Sequence, residues 1–250
     1  MASLFGVQSY CFRKTKDNTE TAELVKQCGL DTVEVCRVQI DFSDTSTHKP
    51  AIEAYKNAGV KIASIGVNGI GADEVEARKL FEFARAAGLR VMSIDFSIDA
   101  VPECFTLADR LAEEYDINLG IHNHGGRHWL GSAQALNWVF SKTSKRIGLS
   151  LDTAWALDAR ENPVELAKRF ADRLHIIHIK DFVFDRARTP EDVIVGTGNL
   201  ELPTLDAVLA GGGFTGPAIL EYEGDVDDPV PALKKCVDAV RGAMPRTISR

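Results

Sequence analysis

Three stretches in the first third of the chain read QCGLDTVEV (27–35), NAGVKIAS (57–64) and AAGLRVMS (86–93). Each leaves a helical pattern through a single glycine and enters a short run of β-branched and apolar residues. Glycine just past a helix end supplies the left-handed conformation that stops the helix without a Cβ penalty. A junction of this kind at a spacing of roughly 30 residues marks helices feeding parallel strands.

The same alternation extends in both directions. Strands are expected at 4–10, 32–37, 61–67, 90–97, 117–124, 146–153, 175–181 and 217–224. Helices are expected between them, at 19–28, 50–58, 73–87, 103–114, 132–141, 163–171, 203–210 and 230–243. Pro50, Pro102, Pro163, Pro203 and Pro231 fall near the helix starts, where a missing N–H costs little. Eight strands alternating with eight helices favour a closed (β/α)8 TIM barrel over an open doubly wound sheet, in one domain spanning 1–250. No GxGxxG follows the first strand, which removes the support for a dinucleotide fold. The long connection DFVFDRARTPEDVIVGTGNLEL after the seventh strand reads equally as a lid or as a surface insertion.

The 250 residues carry a formal net charge of −7 and no block of Lys or Arg, so a nucleic acid is not an expected partner. Five scattered cysteines without a CxxC pair read as reduced thiols. No signal peptide and no apolar run of membrane-spanning length is apparent, and the expectation is a soluble cytoplasmic protein without a membrane partner.

In a barrel of this type the chemistry sits at the C-terminal strand ends. Polar residues gather there in the second half of the chain, most densely in LGIHNHGGRHW (119–129). Residues two apart on a strand share a face, so His122/His124, Ser150/Asp152, His178/Lys180 and Glu221/Glu223 can all point into the barrel mouth. His175 falls on the other side and is assigned a structural role. Two imidazoles and two carboxylates converging from adjacent strands make a divalent-metal site. Mn²⁺ is placed first, with Co²⁺, Mg²⁺, Fe²⁺ and Zn²⁺ left open; the absence of thiolates argues against a structural zinc.

LDTAW (151–155), HIIHIKD (175–181), GTGNL (196–200) and ILEYE (219–223), together with the eight-strand layout, resemble the xylose isomerase-like barrels. More narrowly they resemble the sugar phosphate isomerase/epimerase group, which includes ketose 3-epimerases, inosose dehydratases and dehydroshikimate dehydratases. The resemblance implies metal ligands at His122, Asp152, His178 and Glu221. It also exposes two departures: His122 stands where many members carry an acid/base glutamate, and Trp155 where epimerases often carry a substrate-binding histidine.

The chemistry implied is proton abstraction next to a carbonyl in a sugar, keto-sugar or cyclitol, giving isomerisation or epimerisation. Glu221 is the expected base, and Lys180, His124 and Glu34 are candidates for the partner acid. Glu34, His124 and Trp155 are read as substrate-binding residues, with Lys180 either catalytic or paired with Glu223 or Asp181. Dehydration of a keto-sugar or cyclitol, and a non-catalytic sugar-binding or partner subunit, are the alternatives. A nuclease of the related abasic-site repair barrels is disfavoured by the acidic charge. No cluster of basic residues marks a phosphate pocket, although Arg127 and Lys180 are available. A homo-oligomer is left open.

Overall fold

In the computed structural model, which describes residues 3–248, the three junction glycines are left-handed, with φ of 78° at Gly29, 68° at Gly59 and 71° at Gly88. The amide after each glycine reaches back to the last helical turn: Leu30 N to Val25 O, Val60 N to Tyr55 O, and Leu89 N to Ala84 O. Leu30, Val60 and Leu89 are buried, so each junction couples a helix stop to an apolar anchor.

The strands are β1 (Phe5–Gln8), β2 (Thr32–Val35), β3 (Lys61–Ile65), β4 (Asn68–Ile70), β5 (Val91–Phe96), β6 (Asn118–His122), β7 (Ile147–Asp152), β8 (Leu174–Ile179), β9 (Asp181–Phe184), β10 (Pro190–Val193) and β11 (Ala218–Leu220). Nine of them form one parallel sheet in the order β3-β2-β1-β11-β8-β7-β6-β5-β4. β3 and β4 together occupy the third barrel position. β3 pairs with β2, β4 pairs with β5, and the break at Gly66–Val67 closes the ring. A Cβ at Gly66 would lie 2.4 Å from Ser93 Cβ, so only glycine permits that approach.

The outer layer among the described residues comprises α1 (Asn18–Gln27), α2 (His48–Asn57), α3 (Glu74–Ala86), α4 (Glu103–Tyr115), α5 (Ala133–Phe140), α6 (Thr153–Asp158), α7 (Pro163–Arg169), α8 (Leu202–Gly211) and α9 (Val230–Ala243). The main apolar core lies between strands and helices. A separate small cluster of Val91, Ile176 and Ile219 plugs the barrel interior toward the N-terminal strand ends. Above that plug the interior is polar, including Gln8, Glu34, Ser64, Ser93, Ser150, Asp152 and His178, all buried.

All eight expected strands and eight expected helices are present, with ends shifted by a few residues. α6 was not anticipated. The long connection is also more ordered than a plain loop: β9 and β10 pair as an antiparallel hairpin. Behind it, Asp181 gathers the GTGNL turn. Its Oδ2 accepts from the amides of Gly196 (3.0 Å) and Gly198 (2.9 Å), and its Oδ1 from Asn199 (2.8 Å) and Leu200 (2.9 Å). The glycines of that motif therefore serve a close backbone turn: a Cβ at Gly198 would meet Asp181 Oδ1 at 2.5 Å.

Charge-assisted bonds from four amides to one buried carboxylate carry substantial stability. Asp181→Ala is expected to lower unfolding free energy by about 3 kcal/mol, read from the denaturant midpoint. It should also make 194–200 newly sensitive to limited proteolysis.

Candidate metal centre

Parallel register sets the level of each side chain at the mouth. His122 lies opposite Ser150, Asp152 opposite His178, and His178 opposite Ile219, two residues before Glu221. Inward parity then brings His122, Asp152, His178 and Glu221 together, with one ligand atom from each lying within 4.8 Å of the others. All four are buried.

Neighbouring groups fix each member. The Asn123 carboxamide accepts from Asp152 N (2.8 Å) and donates to Asp152 O (3.0 Å), locking the ends of β6 and β7 together. Asp152 also caps α6: Oδ1 accepts from Trp155 N at 2.8 Å, while Oδ2 is buried without a hydrogen bond. Thr153 completes the LDT segment. Its hydroxyl donates to Lys180 O (2.6 Å) and accepts from Lys180 N (2.9 Å), tying the start of α6 to the end of β8. One aspartate thus starts a helix with one oxygen and offers the other to the barrel mouth.

His178 is held from both sides. Nδ1 is 2.8 Å from Glu221 Oε2 and 3.1 Å from His122 Nε2, while Nε2 is 3.0 Å from Glu34 Oε1. Glu34 accepts from Gln8 Nε2 at 2.6 Å and from the Ser64 hydroxyl. His122 Nε2 lies 3.6 Å from Asp152 Oδ2. Ligands at about 2.0–2.2 Å from one ion sit roughly 3 Å apart, so these separations suit a shared divalent cation. The unpartnered Asp152 Oδ2 shows the same thing from the polar side: a buried carboxylate oxygen without a partner is costly unless something else is bound. The residues present fit a metal.

Charge is distributed unevenly. Burial works against a charged His178, but Glu34 and Glu221 outweigh it and push its pKa up to about 10. Burial, together with the adjacent His178, holds His122 well below the ordinary imidazole value. Burial pushes Asp152 up to about 7 despite the attraction of Lys180. Glu221 moves the other way: burial opposes its charge, yet Lys180 and His178 hold it below the ordinary carboxylate range.

A cleft of about 360 Å³ opens over this set, lined in part by Gln8, Tyr10, Cys36, Arg37, His122, His124, Trp155, Glu221 and Glu223. His124 and Trp155 therefore line the cleft, as expected from their position. Glu34 is fully buried, with its Oε1 3.0 Å from His178 Nε2, and it bonds Gln8, which lines the cleft. Lys180 is 1% exposed and bonds Glu223; Asp192 lies 3.5 Å away and Glu221 3.9 Å. Asp181, its other suggested partner, is engaged by the GTGNL amides instead. Burial would lower the Lys180 pKa, but Glu221, Asp152, Glu223 and Asp192 raise it, so the ammonium stays protonated. Arg127 is exposed and absent from the cleft wall. His175 makes a 3.0 Å contact with Lys145 O, away from the mouth.

Several residues contribute to the site without a local sequence signal. Asn123 stands between the two histidines and carries no spacing signal of its own. Gln8 and Arg37 end the first two strands and lie far from the polar second half. Asp192 comes from β10, whose hairpin was not anticipated; its Oδ2 accepts from Glu223 N at 3.0 Å.

The model of the xylose isomerase-like TIM barrel family matches residues 22–241. Among solved structures, the xylose isomerase domain protein of Alicyclobacillus acidocaldarius superposes with a TM-score of 0.78 at 16% identity, covering 98% of this chain and 99% of that one. A sugar phosphate isomerase/epimerase of Parabacteroides distasonis gives 0.75 at 18% identity, with 98% and 95% covered. At these identities the likeness is one of fold. The rhizopine catabolism protein MocC of Rhizobium meliloti is 27% identical over 139 residues, which is 50% of this chain but 42% of that protein. Among the described residues no helix is long and apolar enough to cross a membrane.

Divalent-ion affinity should strengthen as pH rises from 6 to 8. Asp152 and His178 bind protons more tightly than ordinary groups of their kind, and a metal must displace those protons. Calorimetry in buffers of different ionisation enthalpy should record net proton release; affinity flat across that range counts against these ligands. Glu34→Gln should weaken the metal by about 10–100-fold, with the fold intact by circular dichroism.

Proposed function

Because the chain belongs to the xylose isomerase-like TIM barrel family, we propose that it is a divalent-metal-dependent isomerase or epimerase of a sugar, keto-sugar or cyclitol. The observation that carries this reading is the buried convergence of His122, Asp152, His178 and Glu221 beneath an open polar cleft. A divalent ion held there would draw electron density from a substrate carbonyl and stabilise the negative charge left when the neighbouring C–H bond breaks.

The chain's own residues supply the rest. Glu221 lines the cleft and takes the proton from carbon; Lys180 and His178 keep it anionic beforehand. Return of that proton to the adjacent carbon, with a hydroxyl proton passing between the two oxygens, gives an isomer, whereas protonation of the original carbon from the opposite face by a second acid gives an epimer. His124 and Trp155 form part of the cleft wall, the indole offering a flat apolar face to a sugar ring. Lys180 acts through charge, because a protonated ammonium among carboxylates does not attack a carbonyl. Those carboxylates also disfavour a phosphate at Lys180, which supports an unphosphorylated substrate.

His122 favours a second reading. An imidazole held neutral at the end of β6 provides no second carboxylate to return a proton from the opposite face. Loss of a β-hydroxyl after the same deprotonation would make the protein a dehydratase.

Metal-loaded protein in D₂O is expected to exchange the α-proton of at least one member of a panel of keto-sugars and ketocyclitols, followed by NMR. Glu221→Gln should slow that exchange by about 10³-fold, and Asp152→Ala should abolish its metal dependence. The products distinguish isomer or epimer from a dehydrated enone. No exchange across the panel would sink the catalytic reading in favour of a binding subunit.

A further inference from the structure

We propose that the barrel mouth holds a second divalent-cation site, formed by Asp95, His124 and His128 and sharing no residue with the first. One ligand atom from each of the three lies within 4.8 Å of the others. Asp95 ends β5, His124 follows β6, and His128 comes from the turn after it, so three separate positions in the chain meet at one point. The geometry does not depend on the substrate reading above.

The donor pair that defines the site is His128 Nε2 and Asp95 Oδ2, 3.1 Å apart. That is the spacing of neighbouring ligands on one transition ion, whose bonds to nitrogen and oxygen run to about 2.0–2.2 Å. A simple histidine–carboxylate hydrogen bond has the same length, so the other atoms must decide. Asp95 Oδ1 and His124 Nδ1 are both buried and have no hydrogen-bond partner. Two unpartnered polar atoms in one cluster are unexpected if the contact between Asp95 and His128 were its whole purpose. The opposing contact is weak: Leu130 N lies 3.3 Å from His128 Nδ1, which must carry the proton when Nε2 is a ligand. Binding gives up that long bond and supplies a shared partner for three side chains.

Two imidazoles and one carboxylate suit a borderline ion such as Zn²⁺, Co²⁺ or Fe²⁺ better than Mg²⁺. Three protein donors also leave coordination positions open, the arrangement of a site that accepts an outside ligand. His124 lines the cleft, and its ring centroid is 4.6 Å from that of His122. An ion there would stand beside the first centre and could receive a second oxygen from a polyhydroxylated ligand.

The test is metal stoichiometry, which needs no substrate. Apo protein is loaded with Co²⁺ or with Zn²⁺, desalted, and measured by elemental analysis, with Co²⁺ absorption recorded in parallel. Wild type is expected to retain two equivalents per chain. Asp95→Asn and His128→Ala should each retain one, and Asp152→Ala should lose the other while keeping the Co²⁺ spectrum of the second site. Both residues of the second pair are partly exposed, and melting curves report whether each variant folds. One equivalent in wild type, or two retained in both Asp95→Asn and His128→Ala, overturns the proposal. Two equivalents without substrate exchange would leave this site standing and defeat the catalytic reading alone.

Discussion

A charge taken out of water inside a protein must meet an opposite charge or give up its ionisation. The mouth of this barrel is organised around that constraint. Lys180 is nearly inaccessible, and it is tolerated because Glu223, Asp192 and Glu221 surround its ammonium. His178 sits between Glu34 and Glu221, whose negative charge favours its protonated form. Glu221 belongs to both groupings. Removing any one member would strand the others, so the polar interior behaves as one unit and not as a set of independent pairs. The hairpin belongs to that unit as well, because Asp192 on β10 provides one of the carboxylates and also fixes the Glu223 amide.

The scaffold that delivers these groups is built from one repeated junction. Gly29, Gly59 and Gly88 end helices in the left-handed conformation, and the following amide bonds back to the helix. The same bond recurs at Gly213, where Phe214 N reaches Leu209 O. It recurs without glycine at Asp116 and Arg160, where Ile117 N meets Ala112 O and Glu161 N meets Ala156 O. A non-glycine residue adopts positive φ at some cost, which tertiary packing has to offset. After α1 to α4 and α8 this geometry returns the chain to the sheet layer, and after α6 it turns the chain into α7.

This repetition explains what was legible beforehand. Glycine advertises its junction, and a β-branched strand advertises its alternation, so the barrel and the inward-facing pairs at its mouth could be read from local pattern, while the family resemblance singled out His122, Asp152, His178 and Glu221 among them. The junctions at Asp116 and Arg160 carry no such mark, and α6 is only six residues long, below the length at which helical periodicity is visible. Glu34 shows a different limit. Strand parity correctly turns it inward, but parity does not say how deep a side chain lies. Its depth is set by Gln8, Ser64 and His178, which reach it from three other strands. Asn123 and Asp192 depend on contacts between segments far apart in sequence, which no local window contains.

The imidazole at position 122 alters the balance at the centre in a way that bears on the ion as much as on the reaction. With Asp152 and Glu221 ionised, two carboxylates match the charge of a divalent cation, and His122 adds a donor without adding charge. A third carboxylate there would leave the set anionic and more suited to hard ions such as Mg²⁺. Substituting nitrogen moves preference toward Fe²⁺, Co²⁺ and Zn²⁺, while the two carboxylates keep Mn²⁺ acceptable. It also relieves the repulsion that a further anion would impose on Asp152, whose carboxyl is already pushed up to about 7 by burial. On the proposed reading, the same imidazole leaves no carboxylate at this position to carry a proton at the opposite face of the substrate. On the reading proposed above, ligand identity at this one position would tie metal preference to reaction outcome through the charge that the buried site can carry.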